Sequence, residues 1–111
     1  MTEVASGAFV AVAPSDAIPD EFAAAYYLGD QKLRICLARV DDQVYAFDDL
    51  CTCADQPCPL SGGMLVRTTI RCQCHGSEFD ITTGLVRNGP ASEPLQVYDV
   101  REVSGVIQVR A

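Results

Sequence analysis

The chain has 111 residues, 49% of them apolar and 21% charged, which fits one globular domain and excludes a disordered chain or a second, substrate-binding domain. Fifteen acidic against eight basic residues give a net charge of -7, so binding to nucleic acid or to an anionic membrane surface is disfavoured. Six cysteines accompany a single histidine, His75, which excludes a triad needing a second histidine, a His-rich zinc site and an HExxH protease helix.

In chain order, the start lacks the basic and apolar stretches of a signal peptide, and no segment approaches the ~20 apolar residues of a membrane span. A cytoplasmic location is therefore expected, where clustered cysteines more often bind metal or do redox chemistry than form structural disulfides. The run Phe9 to Val12 reads as a strand ending at Pro14. Phe22, Ala24, Tyr26 and Leu28 alternate before a Gly29-Asp30 turn. Pro19-Asp20-Glu21 also makes a respectable helix start, but the direct turn into the next segment favours a strand. Leu33, Ile35 and Leu37 alternate with Lys32, Arg34 and Cys36, and Asp41-Asp42 turns the chain into Val44 to Phe47. Period-two runs joined by two-residue turns predict antiparallel hairpins. Residues 95 to 109 predict two more strands, meeting at Ser104-Gly105.

Between them, residues 50 to 94 hold five of the six cysteines and most of the glycines and prolines, and read as loops on a β scaffold. Here Cys51-Thr52-Cys53 is followed, after eighteen intervening residues, by Cys72-Gln73-Cys74-His75-Gly76-Ser77. Two short ligand pairs on two loops suit a compact metal site of three thiolates and one imidazole. Chemistry alone leaves tetrahedral zinc and a two-iron cluster both open. Cys36, inside a strand pattern, is read as a buried thiol acting as a small hydrophobe. Asp41, Asp42, Asp48, Asp49 and Asp55 cluster near the first loop, as a docking face for a basic partner or as turn chemistry. The aromatics Phe9, Phe22, Tyr26, Tyr27, Tyr45, Phe47, Phe79 and Tyr98 are expected in the core.

The second loop, Cys72-x-x-His75-Gly76-Ser77-x-Phe79-Asp80 followed by Thr83-Gly84, resembles the second cluster-binding box of the Rieske [2Fe-2S] family. Gly89-Pro90-Ala91 with Pro94-Leu95 and Tyr98 is similar to its proline loop and return strand. Residues 44 to 52 and Pro59-Leu60-Ser61-x-Gly63 resemble the approach to its first box and the exit from it. The resemblance implies an all-β Rieske fold in a single domain. An antiparallel β base (about 8–48 and 95–110) would carry a small cluster-binding subdomain (about 49–94).

It also implies a ligand set. Cys51 and Cys72 would bind the inner iron, and Cys53 and His75 the outer one. The family's first box is Cys-x-His, so Cys53 is a departure: a thiolate in place of an imidazole adds a negative charge and should lower the reduction potential. Around the cluster, Ser77 would donate to a bridging sulfide, and Phe79 lacks the hydroxyl of a tyrosine found there in high-potential members. Gly76 and Pro90 would shape the loops. A disulfide between Cys58 and Cys74 is implied by analogy with respiratory members. However, Cys58 lies seven residues after Cys51, two more than there, and two free thiols are the alternative.

The function implied is a one-electron carrier, not catalytic alone. It would move electrons from a ferredoxin reductase to a ring-hydroxylating oxygenase or a cytochrome P450. The alternatives are a zinc-bound or cluster-free interaction subunit of a reductase, and an iron–sulfur redox sensor.

Overall fold

A computed structural model describes residues 9–29, 32–52, 58–74 and 76–110. Among these described residues, ten short strands and two single-turn 3-10 helices, Ser15–Ala17 and Leu60–Gly62, make up the regular structure. Six strands form one antiparallel sheet: β1 (Phe9–Pro14), β2 (Phe22–Leu28), β3 (Leu33–Val40), β4 (Gln43–Asp48), β9 (Val97–Val103) and β10 (Val106–Arg110), in the order β1-β10-β9-β4-β3-β2. Residues 22–28 are a strand and not a helix. Their register against β3 runs unbroken from Phe22↔Arg39 to Leu28↔Leu33.

Turn chemistry sets two of the hairpins. Asp41 (φ 53) and Asp42 (φ 68) both take the left-handed conformation, as do Ser104 (φ 51) and Gly105 (φ 78). That pairing is what a tight two-residue hairpin with matching strand twist requires. At the other predicted turn Gly29 is in place, while Asp30 lies outside the described residues.

Strands β3 and β4 are buried on both faces and so feed two cores. Ile35, Leu37, Val44 and Ala46 point to one side, with Ile107, Val109 and Ile18. Cys36, Ala38, Val40 and Phe47 point to the other, against Leu60, Ile70, Phe79, Ile81 and Leu95. This alternation is the two-residue period of a strand with no solvent face. Arg39 closes the base end. Its guanidinium pairs with Glu102 at 2.7 Å and donates to the carbonyls of Ile18, Ser15 and Asp42.

The second core belongs to a structure that the expectation of loops missed. Residues 64–88 build a four-stranded antiparallel sheet from β5 (Met64–Val66), β6 (Thr69–Arg71), β7 (Glu78–Asp80) and β8 (Val86–Asn88), ordered β5-β6-β7-β8. At three residues each, these strands are too short for a hydrophobic period to show. Leu95 is in the core but not in a strand, since β9 begins at Val97.

Three aromatics depart from the expected core placement: Phe9 is half-buried beneath Arg101 and Arg110, outside both cores. Phe22 and Tyr27 are exposed on opposite faces of β2, the edge strand of its sheet. The acidic run also disperses. Asp49 is fully buried and Asp48 half-buried, and only Asp41 and Asp42 reach solvent, in their turn. Asp55 lies outside the described residues. A contiguous acidic docking face is therefore not formed by Asp41, Asp42, Asp48 and Asp49.

Candidate metal centre

Strand β4 delivers the chain to the first loop, and buried contacts fix the handover. The Asp49 N–H donates to the Arg34 carbonyl at 3.0 Å. The Asp49 carboxylate accepts from Arg34 Nε at 2.6 Å and from the Ser61 N–H at 2.8 Å. Beyond it, Leu50 bridges Pro59, the Cys51 N–H donates to the Cys58 carbonyl at 2.9 Å, and the Leu60 N–H donates to the Asp49 carbonyl. Residues 51 and 58 thus close the root of a loop as paired strands would. Cys51 sits buried at that root.

The second loop is closed in the same way. The Cys72 N–H donates to the Ser77 carbonyl at 2.8 Å, and the Gly76 N–H donates back to the Cys72 carbonyl at 3.1 Å. Gly76 (φ 78) supplies the left-handed turn. A Cβ there would come within 3.2 Å of the Arg71 guanidinium. Cys72 is buried at this second root.

A third segment backs both loops. Its Gly89–Pro90 peptide is cis, and Pro90 itself is exposed. The Ala91 N–H donates to Ser77 Oγ at 3.0 Å, and Thr52 Oγ1 donates to the Glu93 carbonyl at 2.6 Å. Cys58 and Cys74 join the two loops directly as a disulfide, with Cα atoms 6.4 Å apart. The Sγ atoms of Cys58, Cys72 and Cys74 lie within 4.8 Å of one another.

Of the residues expected at the site, Cys51, Cys72, Cys58, Cys74, Gly76, Ser77 and Pro90 come together on these three segments. Phe79 is fully buried in the core beneath them. Cys53 and His75 lie outside the described residues. Two contributors were not anticipated: the Arg34–Asp49 pair, hidden in an acidic run, and Thr52, which lies between two cysteines.

The donors suit an iron–sulfur cluster. Cysteine sulfurs at two adjoining loop roots are the ligand type such clusters take. Ser77 is fully buried, its oxygen accepts from Ala91, and among the described residues none accepts its hydroxyl hydrogen. A buried hydroxyl donor left in this way fits a site whose acceptor is not protein, such as sulfide.

Residues 8–99 match the Rieske [2Fe-2S] domain family. The chain belongs to that family. Ferredoxin CarAc of Metapseudomonas resinovorans is 36% identical to this Rieske chain over 75 residues, 68% of each protein. The solved Sphingomonas yanoikuyae B1 ferredoxin superposes with a TM-score of 0.84 at 25% identity, covering 94% of this chain and 99% of that one. The ferredoxin-like match in the complex of reduced oxygenase and oxidized ferredoxin of carbazole 1,9a-dioxygenase gives a TM-score of 0.81 at 27% identity, over 92% of both chains. Among the described residues no helix is long and apolar enough to cross a membrane.

Proposed function

We propose that this Rieske chain is a cytoplasmic one-electron carrier, a ferredoxin that takes electrons from a reductase and passes them to a ring-hydroxylating oxygenase or a cytochrome P450. It is not an enzyme by itself. The observation that carries this is the pair of hairpin-closed loops, each with a buried cysteine at its root, in a chain that superposes on ferredoxins over nearly its full length. The [2Fe-2S] group supplies reversible one-electron chemistry when bound. The chain's own residues hold it, exclude water and set its charge environment.

In this reading Cys51 and Cys72 ligate one iron, and Cys53 and His75 the other. The whole chain is one domain, with the six-stranded sheet as base and residues 49–94 as the cluster-bearing part. The extra thiolate favours the oxidised state. The reduction potential then falls between the Rieske range, which begins near about -150 mV, and plant-type ferredoxins at about -400 mV.

Purified protein tests this by colour and by EPR after reduction. A red-brown protein with a reduced-state signal supports the carrier, and a colourless protein that contains zinc while its Cys58–Cys74 disulfide is closed rejects it. The ligand set is tested by His75→Ala, which should abolish or strongly alter the visible spectrum. An unchanged spectrum removes His75 from the set, and a clearly positive potential removes the third thiolate.

A further inference from the structure

Besides Cys36 in the base sheet, two cysteines remain outside the proposed ligand set, and they lie against one that belongs to it. The sulfurs of Cys58 and Cys74 fall within 4.8 Å of that of Cys72. Cys72 is buried, Cys58 half-buried and Cys74 exposed. A cleft lined by Gly62, Gly63, Arg71, Gln73 and two of the three, Cys72 and Cys74, runs beside the group. Tetrahedral zinc, with Zn–S bonds of about 2.3 Å, holds its sulfurs about 3.8 Å apart. Parting the sulfurs of Cys58 and Cys74 by about 2 Å from bonded distance, with a shift of about an ångström at Cys72, would let these three share one ion, with water from the cleft as the fourth ligand.

The closed disulfide forbids this arrangement. Metal binds thiolates, and Cys58 and Cys74 are joined to each other. We propose that the disulfide selects the metal: opened by a dithiol, Cys58, Cys72 and Cys74 form a three-thiolate site for Zn2+, and closed, it leaves Cys72 to the iron–sulfur ligand set. In the opening step the dithiol gives two electrons to the S–S bond. It becomes a disulfide itself, and its two protons pass to the sulfurs of Cys58 and Cys74. Zinc binding then releases the thiol protons to water. The zinc site stands on the sulfur geometry alone, whereas its consequence for the cluster rests on the carrier reading.

The test uses the full metal-free chain in two forms, disulfide closed and disulfide opened by a small dithiol that is then removed without air. Each is loaded with one equivalent of Zn2+, alkylated, and mapped by mass spectrometry. In the opened form zinc is expected to protect Cys58, Cys72 and Cys74. Co2+ in place of zinc should give the charge-transfer intensity of three thiolates. Cys58→Ser and Cys74→Ser should each weaken zinc binding to the opened form by about tenfold or more, while Cys36→Ser, in the sheet, leaves it unchanged. Protection of Cys51 and Cys53 in place of Cys58 and Cys74 overturns the proposal, as does parental affinity in both serine variants.

Reconstitution with iron and sulfide separates the two readings. With Zn2+ also present, cluster yield should fall at least about fivefold in the opened form relative to the closed one, and equal yields overturn the selection. Without zinc, the closed form should take up the cluster. Failure there overturns the carrier reading and leaves the zinc mapping standing.

Discussion

Arg34 Nε lies 2.6 Å from the carboxylate of Asp49, which has no exposed surface and stands two residues before Cys51. The pair ties the middle of the base sheet to the start of the first loop, and through the Ser61 N–H to the loop's exit. Arg34→Ala leaves a buried carboxylate with one neutral donor. Because the arginine is half exposed, water offsets part of the loss, and a destabilisation of roughly 2 kcal/mol is expected. Asp49→Asn, which keeps one acceptor oxygen, should lose roughly 1 kcal/mol. Urea midpoints of the two variants check both the size and the order.

Gly84 and Gly105 share nearly the same backbone conformation, φ 83 and φ 78, but not the same surroundings. A Cβ on Gly84 would overlap the Leu95 carbonyl, whereas one on Gly105 meets nothing within 4 Å. Gly105→Ala should therefore lose about 1 kcal/mol from the left-handed conformation alone. Gly84→Ala adds a backbone clash, and about 3 kcal/mol is expected. Equal thermal stability of the two variants would contradict the crowding at Leu95.

Ser77→Ala removes the acceptor of the buried Ala91 N–H, a loss of about 1–2 kcal/mol. In cluster-loaded protein it also removes a hydroxyl donor, so the reduction potential should fall. Voltammetry and urea unfolding on the same variant measure the two effects separately. A potential that does not move would place the hydroxyl hydrogen away from the metal centre.

Alkaline pH should unfold the protein through groups that resist ionisation in the fold. Burial, reinforced by the Asp49 charge, pushes the Cys36 thiol far above its usual range. Burial and then the hydrogen bond it donates to Asp48 do the same to the Tyr98 phenol. Both folded-state values are raised, so the unfolded chain loses these protons first. Stability is full below the unfolded thiol value of about 8.5 and declines as pH rises past it, and further past about 10. Cys36→Ala should flatten the first part of that decline in unfolding measured from pH 8 to 11. Cys36 should likewise escape alkylation until the protein unfolds.

The six base strands were legible because each is long enough to show a two-residue period, and because Asp41-Asp42 and Ser104-Gly105 are turn pairs by chemistry. The four strands of residues 64–88 were not, since three residues carry no period. The acidic run misled for a related reason: neighbours on a strand point to opposite faces, so Asp48 and Asp49 part company at the end of β4. Asp49 turns inward to Arg34, a pairing fifteen residues apart that no local pattern announces. That Cys51 and Cys72 stand on two separate loops was legible from spacing. The contacts holding their loops, Thr52 to Glu93 and Ala91 to Ser77, depend on a chain return more than ten residues away.

The Asp48 N–H donates to the Gln96 carbonyl at 2.9 Å, and just inside that bond Phe47 pairs with Val97. Everything from the first loop to the proline segment therefore leaves and rejoins the base at a single point. Once β4 and β9 have paired, the ring is closed, and lengthening it costs only a logarithm of its length. Residues inserted at the tips of either loop would thus leave the six-stranded sheet nearly as stable as before. Arg34 on Asp49 and Arg67 on Asp41 tie the two parts together beyond that hydrogen-bonded gateway, so the changes the base tolerates best are those confined to the loop tips.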